Sequence, residues 1–189
     1  MLLSLPALLG LGFFISEVLL AAKKRAARIK EANRADAGSL RLLWIVISCA
    51  VTAGVMLAVY GVGPRMANVL PYVSVGVTCF VLGTILRWRA IQHLGQFFTV
   101  DVAVSQDHRV VDDGPYRLVR HPSYTGLLMQ FAGLALCLGN WLSLAVILLP
   151  IWFALLNRIR VEEQALHASL GEAYQRYSNG TKRLVPLIY

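Results

Sequence analysis

Charge is scarce in this chain. Only 15% of its 189 residues are Asp, Glu, Lys or Arg, against about 25% in a soluble globular domain. Beside 57% hydrophobic residues, that deficit excludes an ordinary soluble domain and points to an integral membrane protein. Acidic residues are the scarcer kind, 10 against 18 basic, which leaves a net charge of +8. The excess does not mark a nucleic-acid binder, because the basic residues flank apolar runs and form no separate basic domain. Cysteine is also sparse. Cys49, Cys79 and Cys137 each lie inside an apolar run, and no two have disulfide or metal-ligand spacing. They read as reduced packing residues. His93 and His167 lack a partner at metal spacing, so no metal site is expected. There is no internal repeat and no low-complexity tract, and the length fits one domain, residues 1–189.

What the chain has is long apolar runs. A bilayer-spanning helix needs about 20 mostly apolar residues. Residues 2–22 meet that, interrupted by Glu17. The basic cluster follows this run instead of preceding it, which argues against a secretory signal peptide. Residues 42–63 and 69–86 give a second and a third span. Two shorter runs follow, 124–139 and 141–156, separated by Asn140. Each is about 24 Å long as a helix, so they form either short spans or a hairpin that stops short of the far side. Both alternatives place the two open ends on one face. The expected fold class is an all-α integral membrane protein with about five transmembrane helices. Three lie in 1–92, and residues 93–189 form the remainder.

Lys and Arg collect on the cytoplasmic side of short loops. All of the 18 except Arg65 share one side when the N-terminus is outside. That orientation makes the C-terminus and residues 93–123 cytoplasmic, in the inner membrane if the source is bacterial. Within the connection, 97–104 is β-rich and 109–111 is a second extended piece. Asp112-Asp113-Gly114-Pro115 is turn chemistry. His121-Pro122 biases His121 away from helix and suits a helix start at Pro122. The tail, 157–177, reads as a separate amphipathic helix with Ile159, Leu166, Leu170, Tyr174 and Tyr177 at helical spacing, and Gly171 weakens its second half. Gly10, Gly12, Gly54, Gly76 and Gly83 suit close helix packing. Glu17 is expected to be buried neutral or paired with Lys23 or Lys24. Gln130 is expected to hydrogen-bond between helices.

Two polar clusters stand out. One is Tyr116, Arg120, His121 and Tyr124; the other is Arg158, Glu162 and Glu163. The topology brings both to one face. Ionisable groups at a membrane boundary are functional candidates by default. The alternative is plain topology anchors and an i, i+4 pair, Arg158 and Glu162, of little energetic weight. Their residue types leave both readings open.

Arg120-His121-Pro122-Ser123-Tyr124-x-Gly126, preceded by Gly114-x-Tyr116, resembles the signature of the isoprenylcysteine carboxyl methyltransferase family. The second half matches as well: Arg158-Ile159-x-x-Glu162-Glu163-x-x-Leu166, then Gly171-x-x-Tyr174-x-x-Tyr177, then Arg183-Leu184-x-Pro186. The resemblance covers about residues 93–186 and suggests a short, prokaryotic-type member. It implies an integral membrane methyltransferase that uses S-adenosylmethionine and acts on a carboxylate, or a hydroxyl, of a lipophilic, isoprenoid- or lipid-like acceptor. By position it implies cofactor contacts at Asp101, His108, Arg109, Val110, Val111, Tyr116, His121, Pro122, Ser123, Tyr124, Glu162 and Glu163. Arg158 would be the catalytic arginine that holds the substrate carboxylate. For a hydroxyl acceptor His121 or Glu163 would serve as base. The expected partners are the lipophilic or lipidated substrate and membrane lipid. A sterol-type reductase using NADPH and a phospholipid N-methyltransferase are the alternatives, since their motifs are similar at Arg120-His121-Pro122.

Overall fold

The computed structural model describes residues 4–25, 33–34, 38–95, 103–104 and 110–186. Five helices carry the fold: α1 (Ser4–Arg25), α2 (Ser39–Val59), α3 (Val69–Leu94), α4 (Pro122–Cys137) and α5 (Trp141–Gly180). A 3₁₀ turn, Gly114–Arg117, precedes α4. Strands β1 (Asn33–Arg34) and β2 (Ala103–Val104) make a two-residue antiparallel pairing, with Asn33 opposite Val104. The β-rich expectation for 97–104 therefore holds at 103–104; the rest of that stretch lies outside the described residues. Helices α2, α3 and α5 are long and apolar enough to cross a membrane. The apolar part of α1, Leu5–Leu20, is shorter. Outward-facing Leu8, Leu11, Phe14, Ile45, Val75, Val81, Leu82 and Phe153 are exposed, as a lipid-facing surface requires.

The helices dock in two pairs. Helix α3 lies on α4 through glycines. A Cβ on Gly83 would sit 2.6 Å from the Gly126 carbonyl oxygen, and Gly76 meets Gly133 in the same way one step further along. Helix α2 lies on α5, where Gly54 faces Ile147 and accepts a 2.7 Å hydrogen bond from Ser143 Oγ. Without side chains between them, backbones approach closely and gain dispersion contact, which holds helices together in lipid. Leu43, Ile47, Phe131, Leu134, Ile147, Ile151 and Leu155 fill the space between the pairs.

The turn between α4 and α5 reaches the connection between α2 and α3. Met66 N donates to Gly139 O at 2.9 Å, Trp141 N to Pro64 O at 3.1 Å and Asn140 Nδ2 to Val62 O at 2.9 Å. The hairpin therefore extends to the level at which its neighbours turn. Asn140 also caps α5, accepting from Ser143 N at 3.0 Å. This anchoring satisfies backbone groups that would otherwise be stranded at the helix ends.

Helix α5 corrects one expectation. The fifth apolar run and the first part of the amphipathic tail are one helix, continuous from Trp141 to a kink at Gly171, with a second helical piece beyond it. Polarity changes at Asn157, but nothing there breaks a helix. The break comes at Gly171, whose φ of 52° and ψ of −128° kink the chain. At 1.5 Å per residue the 30 residues from Trp141 to the kink span about 45 Å. They carry Arg158, Glu162 and Glu163 rigidly out of the apolar layer.

The α3–α4 contact generates a prediction. Gly83→Val forces a branched side chain against the Gly126 carbonyl and should lower stability in micelles by about 1–3 kcal/mol. Gly12→Val, with open space around it, should leave the unfolding transition nearly unmoved.

Candidate active site

The site forms where the start of α4 meets the polar extension of α5 and the segment after it. Glu163 organises it. Its Oε1 accepts from Arg120 Nε at 2.8 Å and from His121 Nε2 at 3.3 Å. Its Oε2 accepts from Arg183 Nε at 3.0 Å and Nη2 at 2.8 Å. Burial alone would raise this carboxyl. The hydrogen bonds from His121 and Arg183 and the charges of His121 and Arg120 outweigh burial and hold it at about 2. Both carboxylate oxygens are thus committed to tying three chain segments together.

The tail is sewn to the loop by backbone as well. Arg120 N donates to Lys182 O at 2.7 Å and His121 N to Arg183 O at 3.0 Å. Thr125 Oγ1 donates to Leu184 O at 2.7 Å. Arg120 Nη1 reaches the carbonyls of Ser178 and, at 2.7 Å, Thr181. Tyr177 Oη donates to Tyr116 O at 2.6 Å. Tyr116 Oη in turn reaches Ala90 O at 3.3 Å, so the 3₁₀ turn is held between α3 and α5.

Beside this clamp lies a second set of groups. Tyr124 Oη donates to Glu162 Oε2 at 2.7 Å and accepts from Arg158 Nε at 3.3 Å. Arg158 and Glu162 share one face of α5, as their spacing requires, and meet through this hydroxyl. Arg158 is 2% exposed, and its Nη1 donates to Ser39 Oγ at 2.7 Å. The His121 ring stacks on Tyr124, with centroids 5.6 Å apart and planes at 20°. His121 Nδ1 is 3.9 Å from Glu162 Oε1. Its side chain makes no capping bond to α4, so the helix-entry role does not explain it. Glu162 keeps 30% of its side chain exposed, a carboxylate beside the stacked His121 and Tyr124 rings. Tyr174 is buried nearby, and its hydroxyl has no hydrogen-bond partner among the described residues. Burial, then the neighbouring carboxylates, push the Tyr116 and Tyr174 hydroxyls above the usual phenol range. They stay neutral donors.

A model of the isoprenylcysteine carboxyl methyltransferase family matches residues 76–168. Over 117 residues the chain is 37% identical to the protein-S-isoprenylcysteine O-methyltransferase of Schizosaccharomyces pombe, covering 61% of this chain and 49% of that one. Over 115 residues it is 33% identical to protein-S-isoprenylcysteine O-methyltransferase B of Arabidopsis thaliana, covering 60% and 58%. The chain belongs to the isoprenylcysteine carboxyl methyltransferase family. Its fold matches the solved eukaryotic intramembrane Ras methyltransferase of that family with a TM-score of 0.63 at 25% identity, over 77% of this chain and 52% of that one. The chain spans about half the length of these relatives.

The family signature's residues do come together. Tyr116, His121, Pro122, Ser123, Tyr124, Arg158, Glu162 and Glu163 lie in or next to this hydrogen-bond network. Pro122 and Ser123 are buried in the first turn of α4. Val110 and Val111 are half-buried ahead of the 3₁₀ turn. Asp101, His108 and Arg109 lie outside the described residues. Sequence reasoning missed Ser39, whose signal was a Gly38-Ser39 helix start. It also missed the partner of Glu17. That carboxylate pairs with Arg87, Nε to Oε1 at 2.7 Å and Nη2 to Oε2 at 2.9 Å; the side chains of Lys23 and Lys24 lie outside those described. The available signal was one acid and one base, each embedded in an apolar run. Arg87 also donates to Ser123 O at 3.3 Å, linking α1 to the site.

The clamp should respond to pH with a defined sign. The Glu163 pKa is depressed on folding, so its contribution is complete above the ordinary carboxylate range near 4. It is lost as pH falls through about 2. Amide protection factors at 178–184, taken relative to the unstructured rate at each pH, should stay high at pH 5 and fall in strong acid. Glu163→Gln should give fast exchange there at pH 7, with a loss of about 3 kcal/mol for unpairing the buried cations.

Proposed function

We propose that the protein is an S-adenosylmethionine-dependent methyltransferase that esterifies a carboxylate on a lipophilic acceptor at the membrane boundary. The observation that carries this reading is the Tyr124 hydroxyl bound at once to Arg158 and Glu162. It sets an anion-binding group and a cation- or diol-binding group side by side.

The residues suit the cofactor. Glu162, partly exposed, can accept from an ammonium or a ribose diol. The unpartnered Tyr174 hydroxyl offers a polar contact. The rings of Tyr116, His121 and Tyr124 can face a sulfonium, a contact worth about 0.5–2 kcal/mol. When bound, S-adenosylmethionine supplies an activated methyl group on that sulfonium. Asp101, His108, Arg109, Val110 and Val111 remain assigned to the same pocket by the family signature. Glu163 is reassigned: both its oxygens are used, so it positions His121 and the tail.

The geometry favours a carboxylate over a hydroxyl acceptor. A hydroxyl calls for a base, and Glu163 at about 2 is too weak a base at neutral pH. His121, which gives its Nε2 hydrogen to Glu163, keeps Nδ1 as its basic atom, and that atom faces Glu162 Oε1 at 3.9 Å. A carboxylate, with an ordinary pKa near 4, is already ionised. Arg158, planar and charged, would orient it through paired hydrogen bonds, with Tyr124 and Ser39 fixing the guanidinium. Rate enhancement then rests on alignment in a recess shielded from water. We place the recess on the cytoplasmic side, on the distribution of Lys and Arg.

Two variants test the roles. Labelled S-adenosylmethionine should bind the purified protein, and Glu162→Gln should weaken that binding at least tenfold. Arg158→Ala should retain cofactor binding and lose methyl transfer to carboxylates. If NADPH binds and S-adenosylmethionine does not, the proposal fails. Loss of cofactor binding in Arg158→Ala would show that arginine to be misassigned.

A further inference from the structure

The last turn of α3 sets His93 against the 3₁₀ turn. His93 and Ala90 are spaced i, i+3, so they share one face of the helix. Asp113, Gly114 and Tyr116 all gather on the imidazole. Asp113 Oδ1 accepts from His93 Nε2 at 2.6 Å; a carboxylate only accepts, so that nitrogen holds the hydrogen. Gly114 lies directly against the ring. A Cβ there would come 2.7 Å from Cε1, 2.9 Å from Nε2 and 3.1 Å from Nδ1. With φ at 55°, any side chain would be strained as well as blocked. Tyr116 stacks on the same ring, with centroids 6.3 Å apart and planes at 24°. Both fixed positions of Gly114-x-Tyr116 therefore meet one histidine.

These contacts differ in weight. Asp113 keeps 75% of its side chain exposed and His93 33%, so their bond competes with water and contributes little. Asp113 makes no side-chain cap to the turn either. The flat ring is different. It meets a bare backbone and an aromatic neighbour at once, and stacking depends on its planarity.

The turn matters because it carries Tyr116. The Tyr116 carbonyl accepts from Tyr177 Oη at 2.6 Å, and the Tyr116 hydroxyl reaches Ala90 O at 3.3 Å. Those bonds hold the two ends of the residue. They leave rotation of the ring about its long axis unset, and a stacked neighbour sets it. After burial, the Glu162 charge is the largest influence on the Tyr116 hydroxyl, so the ring stands near the carboxylate assigned to the cofactor. We infer, resting on the proposed cofactor reading, that His93 is a positioning residue: its flat ring seats the 113–117 turn and fixes the face that Tyr116 presents to the cofactor. It acts through Tyr116 and not by its own contact.

The test uses the full chain in detergent micelles and labelled S-adenosylmethionine. His93→Ala and His93→Leu should each raise the dissociation constant about tenfold, whereas His93→Phe, which keeps a flat ring without the bond to Asp113, should stay within about twofold of the native value. Asp113→Ala should likewise change little. Leucine fills space much as phenylalanine does, so a purely space-filling role would not separate them. Amide protection in His93→Leu should fall at 114–117 and persist at 178–184, the sign of a fold otherwise intact. Native-like binding in His93→Leu would overturn the inference. So would His93→Phe binding as weakly as His93→Ala, a loss in Asp113→Ala as large as in His93→Ala, or protection lost at 178–184 as well. Labelled cofactor failing to bind the native protein would sink the methyltransferase reading and the inference with it. Native binding that His93 substitutions leave untouched would sink the inference alone.

Discussion

One buried carboxylate sets the geometry of the polar end of this protein. Glu163 draws Arg120, His121 and Arg183 onto its two oxygens. Those donors come from the start of α4 and from the segment after α5, so one side chain closes a loop of structure. Two guanidinium groups and an imidazole gathered on one carboxylate make an arrangement that resists being half made. Removing one partner leaves the others buried and unpaired, which is worse than never burying them. The consequence is rigidity where a ligand pocket needs it. His121 cannot turn, and its ring presents a fixed face to Tyr124.

The helix that carries Glu163 explains how the clamp serves chemistry. Because α5 runs unbroken from Asn140 to the kink at Gly171, the position of Glu162 and Arg158 is set by packing deep in the apolar layer. Ser143 and Ile147 against Gly54 fix the helix at one end, and the clamp fixes it at the other. Glycine contacts between α3 and α4 similarly place Tyr124. The polar site is therefore held by the same two helix pairs that build the apolar layer. The Glu17–Arg87 pair joins α1 to this assembly through the Ser123 carbonyl.

Much of this was legible in the sequence. Apolar run lengths gave the helices, Pro122 gave the start of α4, and Gly54, Gly76 and Gly83 marked close contacts, whereas Gly10 and Gly12, expected to do the same, face open space among the described residues. The two polar clusters were identified and their meeting followed from the hairpin. What was not legible has physical reasons. A change of polarity at Asn157 looks like a boundary, but a helix ends only where backbone geometry or capping ends it, and that is Gly171. The role of Arg183 depends on a tail segment with no periodic pattern. Glu17 found Arg87 because two helices distant in sequence are adjacent in space, whereas sequence proximity favoured lysines. Glu163 looked like a ligand contact because it sits next to Glu162. Neighbours on a helix point about 100° apart, so one can face Tyr124 while the other faces the clamp.

The central claim is that two segments remote in sequence share one ligand. Amide exchange on the protein in nanodiscs, with and without S-adenosylhomocysteine, tests it most directly. The account predicts protection appearing together at 116–124 and at 158–177. Protection confined to one of these segments, or absent from both at saturating ligand, would contradict it.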